Sequence, residues 1–448
     1  MTEAQVELLV VGAGPAGIAA ACTAAESGVQ VAVLDDNPDV GGQIWRGEKR
    51  SAPSSLAAPW LERAAKASGI QWLTGWAAVG PDGPHALLAL PPGGGQLVRV
   101  AYQKLVLATG ARELFLPVPG WTLPGVFGAG GLQALVKGGW SVAERRIVVA
   151  GSGPLLLAVA AYLQQTGADV VLVAEQAPWS KVSRYAMHLL LTQFAKFRQG
   201  VRLRRTVRST PYRVGCWPVR ILGREQVEAV IFSDGVRRFQ ESCDLLACGF
   251  GLVPNTELGE LLGCQRAAGR LAVDRWQRCS VPHVYAAGEV CGIAGVECAL
   301  VEGQIAGYHA SGNLTAAGRL CRKRDRLRRF AGQLHQAFAL RDELRSVPDP
   351  HTIVCRCEDV TLGQVREQMS WRAARLQQRC GMGLCQGRIC GPALEFLFGW
   401  KDRSIRPPLF PVPLGALADE MSPKSDLPSS EKSPSASHSE CSTRRLSP

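Results

Sequence analysis

The chain has 448 residues, of which 46% are hydrophobic and 49 are glycine, and it carries a formal net charge of +12. This length allows two or three domains, and the composition excludes a disordered or fibrous protein and favours an α/β enzyme. The basic residues are dispersed, and their densest run, Arg319 to Arg329, falls on a helical pattern. A solvated helix face or an acidic partner protein explains that run better than nucleic acid does.

The first residues lead directly into an apolar strand, Leu8 to Val11, so no secretory segment is expected. No apolar stretch of the sequence reaches the roughly 18 residues that a membrane helix needs. We therefore expect a cytoplasmic protein without a transmembrane segment, with any attachment to a membrane made through its partners. In that compartment the 15 cysteines are not expected to form a disulfide framework.

The start of the chain predicts a β-α-β unit of the kind that binds dinucleotides. Within residues 7–34 an apolar strand is followed by a glycine-rich turn, an alanine-rich helix and a second apolar strand. Gly12 allows the tight turn, Gly14 lets the backbone approach a pyrophosphate, and Gly17 allows the helix to pack closely on the strand. The helix N-terminus then faces the negative charge of the pyrophosphate.

Two acids, Asp35 and Asp36, stand at the end of the second strand, and one or the other is predicted to accept hydrogen bonds from an adenosine ribose, which fits both NAD and FAD. The segments Gly41–Ile44 and Ala287–Glu289 resemble flavoproteins related to thioredoxin and glutathione reductases, which favours FAD. In that superfamily the late acid, usually Asp and here Glu289, contacts the ribityl or pyrophosphate part of FAD. The predicted FAD site comprises Gly12, Gly14, Ala16, Gly17, Asp35, Asp36, Gly42, Gln43, Thr109, Gly110, Gly288 and Glu289.

Residues 146–174 repeat the same strand, turn, helix and strand. Gly151 and Gly153 form the turn, but Leu156 stands where the third glycine would pack. Glu175 at the end of the second strand disfavours the extra phosphate of NADP. Three interpretations remain open for Gly151, Gly153 and Glu175: hydride chemistry with NAD(H), another adenine nucleotide bound without hydride transfer, or an empty fold.

Short strand-to-turn segments indicate where the chain crosses between the two nucleotide folds. Leu107–Gly110 and Leu246–Gly249 have the form of such crossings, and Val284–Glu289 returns the chain to the first fold. The sequence therefore predicts an FAD-binding domain from residues 1–140 and 255–317, an NAD(P)-binding-like domain at 141–254, a connecting helix at 318–346, a cysteine module at 347–402 and a disordered tail at 415–448.

Four cysteines in two close pairs, Cys355 with Cys357 and Cys385 with Cys390, distinguish the module after the connecting helix. Their spacing differs from that of common zinc sites, where two residues separate the members of a pair. It suits a [2Fe-2S] cluster, in which each iron takes two thiolates. Zinc or four buried thiols remain alternatives, and Cys380 is a fifth thiol that is either a spare or a replacement ligand.

Reduction of a disulfide substrate is not expected. Disulfide reductases carry a redox pair of cysteines soon after the Gly-Gly motif or within the NAD domain. Neither Gln43–Arg50 nor the stretch from Arg146 to Arg213 contains a cysteine.

The segments Val354–Val360 and Cys380–Cys390 closely resemble the bacterioferritin-associated-ferredoxin-like (BFD-like) module of opine oxidase A subunits, hydrogen cyanide synthase B subunits and the alpha subunits of heteromeric proline and sarcosine oxidases. Pro119–Val126 and Gly151–Leu157 carry the same resemblance, which spans about residues 6 to 400. It implies an α/β fold with two Rossmann-like dinucleotide-binding domains and a small helical BFD-like [2Fe-2S] domain. The segment between the cysteine pairs is several residues shorter than is usual there.

Members of this group work beside an FAD-dependent amine or amino-acid oxidase-like beta subunit, and a small ferredoxin-like subunit is a further partner to consider. The resemblance therefore implies an FAD and [2Fe-2S] electron-relay subunit of an enzyme acting on the C–N bond of an opine, amino acid or secondary amine. No residue is named as catalytic, because the reactive atoms would belong to the cofactors. Two alternatives stay open: a self-sufficient NAD(P)H-dependent flavin oxidoreductase, and a non-redox regulatory protein that binds a nucleotide or zinc.

Overall fold

The computed structural model describes residues 3–47, 54, 56–401 and 405–421. Its strands, in chain order, are β1 Glu3–Val11, β2 Val31–Asp35, β3 Ile70–Thr74, β4 Ala77–Pro81, β5 Ala86–Leu90, β6 Val98–Leu107, β7 Ala111–Glu113, β8 Val126–Gly128, β9 Arg146–Gly151, β10 Asp169–Glu175, β11 Tyr212–Val214, β12 Trp217–Leu222, β13 Ala229–Ser233, β14 Arg238–Ser242, β15 Leu245–Gly249, β16 Leu252–Pro254, β17 Arg266–Ala267, β18 Arg270–Leu271, β19 Val284–Ala286, β20 Ile353–Cys355 and β21 Val360–Thr361.

The α-helices, in chain order, are α1 Pro15–Glu26, α2 Ala58–Lys66, α3 Ala129–Lys137, α4 Leu155–Gln165, α5 Trp179–Thr192, α6 Phe194–Thr206, α7 Glu257–Leu261, α8 Val296–Ala310, α9 Leu314–Ala337, α10 Leu362–Arg366, α11 Trp371–Gln378, α12 Cys390–Phe398 and α13 Leu414–Met421. Short 3₁₀ turns cover Glu289–Cys291 and Asp342–Ser346.

The first sheet runs in the order β3-β2-β1-β6-β5-β4, and β19 pairs with β6. The strands β3, β2, β1, β6 and β19 are parallel, while β5 and β4 continue the sheet as an antiparallel hairpin. The apolar run Leu8–Val11 is buried because helices cover the parallel part of the sheet. Since β19 comes late in the sequence, the chain returns to this sheet after building the second domain.

The second sheet has five parallel strands in the order β11-β10-β9-β15-β8, beside a three-stranded antiparallel sheet of β12, β13 and β14. The predicted α/β class with two Rossmann-like domains is thus confirmed. The strand β8 lies inside the segment 1–140 that was predicted for the first domain, yet it pairs with β15 of the second sheet. The chain crosses between the domains on β7 and β16, which pair antiparallel with each other.

Helix α8 packs directly on α1, the helix that follows the glycine-rich turn of the first domain. A Cβ atom on Gly303 of α8 would lie 2.1 Å from the carbonyl oxygen of Ala16 in α1. Only glycine permits this approach, because any side chain would displace the backbone of α1. The contact holds the N-terminus of α1 against the first sheet, where the ligand cavity lies.

Helix α9 connects the nucleotide domains to the cysteine module, and it covers Leu314–Ala337 within and before the predicted connecting segment 318–346. It is strongly polar, with a dense run of arginines and lysines. Among the described residues, no helix combines the length and the apolar character that crossing a membrane requires.

The cysteine module consists of the β20–β21 hairpin and helices α10, α11 and α12, with a small core of its own around Trp371 and Leu394. It docks on both nucleotide domains. The indole nitrogen of Trp121 donates to the carbonyl oxygen of Ile353 at 2.6 Å, and Nε of Arg112 donates to the carbonyl oxygen of Arg388 at 3.0 Å. The module is therefore fixed beside the crossing strands.

The beginning of the predicted disordered tail, 415–448, is helical. Helix α13 covers Leu414–Met421, and the buried Ala416 packs with Val79 and Leu97 of the first domain. The prediction was wrong for these residues because the few apolar side chains at the start of the segment find a surface on the first domain. Residues 422–448 lie outside the described part of the chain.

We expect Gly303→Ala to lower the free energy of unfolding by about 1–3 kcal/mol, because the new methyl group overpacks the α1–α8 contact. Thermal unfolding of the purified protein measures this. The matched control is Gly332→Ala in α9, where nothing lies within 4 Å of the added Cβ. The control should be neutral or more stable by up to ~1 kcal/mol, in line with helix propensity. Equal stability of the two variants would contradict the role assigned to Gly303.

Candidate functional site

A cavity of about 430 Å³ opens where the parallel strands of the first sheet end. Its walls come from the turn after β1, the end of β2, the crossing strand β7 and the turn after β19. Eleven of the twelve residues predicted for the first nucleotide site line it, namely Gly12, Gly14, Ala16, Asp35, Asp36, Gly42, Gln43, Thr109, Gly110, Gly288 and Glu289.

The turn between β1 and α1 presents backbone, not side chains, to this cavity. A Cβ on Gly17 would lie 1.8 Å from the carbonyl oxygen of Gly12, so Gly17 serves the packing of helix on turn and does not line the cavity. Gly14 is the N-cap of α1, and among the described residues no side chain caps this end and no acid stands in the first turn. The backbone N–H groups of the helix start are therefore available to an anion such as a pyrophosphate.

The two acids after β2 have different surroundings. The buried carboxylate of Asp35 accepts hydrogen bonds from the backbone N–H of Ala13 and from the backbone and side-chain nitrogens of Asn37, the latter two at 2.8 Å. Asp35 therefore holds the turn in place. Asp36 is exposed and accepts a hydrogen bond from the side chain of Asn37 at 2.9 Å. Its remaining acceptor capacity suits a ribose hydroxyl.

Glu289 lies on the opposite wall of the cavity, in the turn after β19. Burial raises the pKa of its carboxyl group, and within the described ranges no protein donor offsets that effect. A half-buried acceptor that faces the cavity fits the hydroxyl groups of a ligand. The open glycine turn, Asp36 and Glu289 together form a cradle that FAD fits.

The sequence did not predict the far wall of the cavity, where Arg112, Asn255 and Glu257 meet. Arg112 forms an ion pair with Glu257 at 2.7 Å and donates to the side-chain oxygen of Asn255 at 2.7 Å. Asn255 also exchanges hydrogen bonds with Thr109, at 2.7 and 2.9 Å. These residues belong to the crossing strands and their ends, so only the pairing of β7 with β16 brings them to the site.

Arg388 extends this wall from the cysteine module, together with Phe410. Its guanidinium donates to the carbonyl oxygens of Leu409 and Cys385 at 2.6 and 3.3 Å, and it lies 4.4 Å from the centre of the Phe410 ring. The cysteine-rich segment was predicted to serve a cluster only. In the structure the same segment also bounds the nucleotide cavity.

A second cavity, of about 480 Å³, lies between the cysteine module and the second domain. All four cysteines predicted as ligands, Cys355, Cys357, Cys385 and Cys390, line it. Cys380 does not line it and is completely buried, but its sulfur, with those of Cys355 and Cys390, forms a group whose members all lie within 4.8 Å of one another. The structure therefore brings the predicted four to one cavity and places the fifth thiol behind two of them.

The surroundings of Cys355 favour its thiolate form, which is the form that binds metal, whereas the hydrogen bonds to Cys355 raise the pKa of Cys380 and of Cys390. Hydrogen bonds from the thiols of Cys380 and Cys390, and one from the backbone N–H of Gly381 at 3.3 Å, hold the pKa of Cys355 well below its ordinary value. Backbone N–H groups that point at cluster sulfurs are also what tunes an iron-sulfur centre. The donor set fits a [2Fe-2S] cluster.

The chain itself covers the glycine turn of the second domain. The hydroxyl of Ser152 donates to the carbonyl oxygen of Phe338 at 2.8 Å, and the side chain of Gln176 donates to that of Ala339 at 3.2 Å. The side chain of Phe338 lies 3.9 Å from the position that a Cβ of Gly153 would take. The segment after α9 thus occupies the space that the open cavity occupies in the first domain.

Glu175, which was predicted to belong to the second nucleotide site and to disfavour the phosphate of NADP, is completely buried in this second domain. Its carboxylate accepts hydrogen bonds from the backbone N–H groups of Gly153 at 2.6 Å and Ala177 at 2.8 Å. The three residues predicted for the second site therefore lie together, but the carboxylate is turned to the protein's own backbone.

The sequence profile of the pyridine nucleotide-disulphide oxidoreductase family matches residues 6–311, which include both nucleotide domains. The chain belongs to this family, and it is a flavin-dependent oxidoreductase.

Two relatives align with almost the whole chain. The chain is 32% identical to the A subunit of the opine oxidase of Agrobacterium tumefaciens (strain Ach5), over 92% of this chain and 91% of that protein. It is 31% identical to the hydrogen cyanide synthase subunit HcnB of Pseudomonas protegens, over 91% of this chain and 96% of that protein. The resemblance drawn from the sequence motifs is confirmed.

Solved structures show the same fold at lower identity. The L-proline dehydrogenase of P. horikoshii superposes with a TM-score of 0.66 at 20% identity, covering 93% of this chain and 80% of that one. The thioredoxin reductase of T. acidophilum superposes with a TM-score of 0.55 at 22% identity, covering 69% of this chain and 98% of that one. The nucleotide domains therefore have the architecture of flavoprotein reductases.

Burial raises the pKa of Glu175 to about 7, and this predicts how stability depends on pH. Above the unfolded-state pKa of ~4.3 the unfolded chain loses this proton while the native state keeps it, so stability falls as pH rises towards 7. Glu175→Gln removes this loss. Relative to the wild type, the free energy of unfolding of the variant should rise by up to ~3 kcal/mol between about pH 5 and pH 8.

Thermal unfolding of both proteins at a series of pH values measures the effect. The control is Glu225→Gln, which changes an exposed carboxyl group of the same domain. A difference between Glu175→Gln and the wild type that is the same at every pH would refute the prediction.

Proposed function

We propose that this chain is the FAD and [2Fe-2S] subunit of a heteromeric dehydrogenase or oxidase that acts on the C–N bond of an opine, amino acid or secondary amine. Its task is to relay the electrons that a partner subunit removes from the substrate. One observation carries the proposal: the loop Cys385–Cys390 bounds both cavities, the nucleotide cavity through Arg388 and the thiol cavity through its two cysteines. A relay needs its two electron carriers this close together.

The first cavity would hold FAD, which supplies two-electron acceptance and one-electron release when bound. The start of α1 at Gly14 binds the pyrophosphate, Asp36 binds the adenosine ribose, and Glu289 binds the ribityl or pyrophosphate part. Arg388 gives positive charge to the wall nearest the thiols, whereas the charge of Arg112 is paired with Glu257. That charge favours electron density on that side of the cavity.

The second cavity would hold the [2Fe-2S] cluster, which supplies single-electron transfer when bound. Cys355, Cys357, Cys385 and Cys390 are the proposed ligands, because these four thiols line the cavity. Cys380 is the proposed spare thiol. It hydrogen-bonds with Cys355 and supports its thiolate from behind.

The partner is proposed from the relatives, since HcnB and the opine oxidase A chain each bear the name of a subunit and match more than nine-tenths of this chain. An FAD-dependent amine or amino-acid oxidase-like beta subunit would bind and oxidise the substrate, and a small ferredoxin-like subunit is a further candidate. The charged pair Arg112 and Glu257 in the nucleotide cavity neutralises itself at 2.7 Å. We therefore assign no acid-base residue to this chain.

We also place the assembly in the cytoplasm, as the sequence led us to expect.

We propose further that the second Rossmann-like domain is a scaffold and does not exchange hydride with NAD(P)H. Phe338 and Ala339 cover its glycine turn, and Glu175 is committed to backbone N–H groups. A nicotinamide nucleotide could enter only if the segment after α9 withdrew. This argues against the self-sufficient NAD(P)H oxidoreductase.

The purified protein should contain FAD and about two irons per chain, with zinc absent. Cys357→Ser and Cys385→Ser should lose the iron and the visible absorption of the cluster while keeping FAD, because the pyrophosphate and ribose positions at Gly14 and Asp36 lie in the first nucleotide domain. Cys380→Ser should keep the iron. Iron and zinc analysis with visible spectra measures these outcomes.

The matched control is Cys321→Ser in α9, whose thiol donates to the carbonyl oxygen of Ala317, a bond that serine retains. If Cys380→Ser loses iron while Cys357→Ser keeps it, the metal ligands are instead the three clustered thiols of Cys355, Cys380 and Cys390. A colourless protein with zinc would instead support the non-redox regulatory alternative.

Anaerobic addition of an opine, proline or sarcosine should leave the flavin absorbance of the isolated chain unchanged, and should bleach it only when the partner subunit is present. NADH and NADPH should have no effect in either case, because the second nucleotide crevice is covered. Stopped-flow absorbance spectroscopy measures both. Bleaching of the isolated chain by the amine would rule out the relay role, and rapid bleaching by NADH would establish the alternative.

A further inference from the structure

The helices α5 and α6 of the second domain turn apolar side chains towards the solvent. Trp179, Met187, Leu191 and Phe194 are 65%, 57%, 77% and 60% exposed, and Leu190 is also exposed. A large side chain exposed singly is ordinary, but five within sixteen residues are a concentration of exposed apolar surface. We call these five residues the apolar ridge.

Helical spacing explains part of the ridge. Met187, Leu190 and Leu191 stand at i, i+3 and i+4 of α5, which places them on one side of that helix, and Phe194 begins α6 directly after the break at Gln193. The other side of α5 is already packed, because Tyr185 is buried beside the rings of Phe330 and Phe338, at centroid distances of 6.5 and 5.6 Å. The domain core therefore does not need the ridge residues, and they remain available to a ligand or surface outside the protein.

A basic surface accompanies the ridge. From Trp179 to Arg208 the chain has eight lysines and arginines and no aspartate or glutamate. Arg198, Arg202 and Arg205 are exposed and recur at i, i+4 and i+7 along α6, on the side that also carries Phe194. Within the described ranges only Lys196 of these eight has a carboxylate partner, Glu297 at 2.7 Å. The positive charge of the other seven is thus uncompensated.

The apolar ridge and the basic surface together indicate what this face of the protein binds. Exposed Trp, Phe, Leu and Met beside a row of arginines is the composition of helices that lie in the plane of a lipid surface, with the apolar residues below the headgroups and the arginines on the phosphates. A lipid surface needs no matching shape, so it accepts side chains that project from a ridge. A protein counterpart would have to offer a groove lined by carboxylates along both helices.

We propose that the surface formed by α5 and α6 attaches this protein to an anionic lipid bilayer. Trp179, Met187, Leu191 and Phe194 enter the headgroup region, and Arg198, Arg202 and Arg205 contact lipid phosphates. The expectation from the sequence was attachment through partners. In this proposal the membrane-binding surface belongs to the chain itself and lies on the second nucleotide domain.

The experiment uses the purified full-length protein and vesicles of phosphatidylcholine, with or without phosphatidylglycerol, in a flotation assay. We expect at least about tenfold more protein on the anionic vesicles, with a decrease as salt screens the charges. The combined variant Met187→Ser, Leu191→Ser, Phe194→Ser should lose about tenfold in bound protein. Arg198→Glu with Arg202→Glu should lose binding to anionic vesicles as well.

The matched controls are Met369→Ser and Val236→Ser, which change apolar side chains 92% and 91% exposed at other places on the molecule. They should bind vesicles as the parent does. Brominated lipids should quench part of the tryptophan fluorescence of the parent, and less of it in Trp179→Phe. Flavin absorbance and thermal unfolding show whether each variant is folded.

Three results would overturn the proposal. The folded parent does not bind anionic vesicles, the ridge variant binds them as well as the parent does, or binding is equal on phosphatidylcholine alone and insensitive to salt. If the parent does not bind vesicles, and the ridge variant loses a partner subunit or changes its oligomeric state, the surface is a protein interface.

Discussion

The loop from Cys385 to Cys390 joins the cysteine module to the nucleotide domains beside the two cavities. Arg388 makes the hydrogen bonds of this contact. The guanidinium donates to the carbonyl oxygens of Cys385 and Leu409, and the backbone carbonyl accepts from Arg112 on the crossing strand. These bonds tie the cysteine module to the strand that links the two nucleotide domains. Burial lowers the pKa of this guanidinium, and the nearby carboxylate of Glu257 offsets part of that effect. The positions of both cavities depend on this arrangement.

The two nucleotide domains show how one sequence pattern can have two structural outcomes. Each has a strand, a glycine turn, a helix and an acid after the second strand. In the first domain the turn faces a cavity and Asp36 remains exposed. In the second domain the segment after α9 lies on the turn, and the buried Glu175 accepts from its backbone N–H groups. A carboxylate moved from water into the protein must find donors, and the bonds from Gly153 and Ala177 offset part of the cost of burying Glu175.

The second domain contacts the cysteine module at one surface and carries the apolar ridge of α5 and α6 at another. The thiols lie against the second domain, at Trp121 and Phe127, so this domain shields them although its own crevice is filled. The same domain carries the apolar ridge on its outer side. A domain whose glycine turn is covered can thus support the cysteine module on one side and carry an exposed apolar surface on the other.

Local patterns in the sequence determined much of this protein. The glycine turns, the acids after the strands and the paired cysteines predicted two Rossmann-like domains, the FAD cradle and a cluster module, because glycine geometry and thiol spacing act within a few residues. Only the tertiary structure decided that β8 joins the second sheet, that Arg112 and Arg388 complete the first cavity, that Cys380 lies behind the predicted ligands and that Phe338 covers the second turn. Each of these is a contact between segments far apart in the chain, and spacing along a sequence carries no record of which distant segment will pack against it.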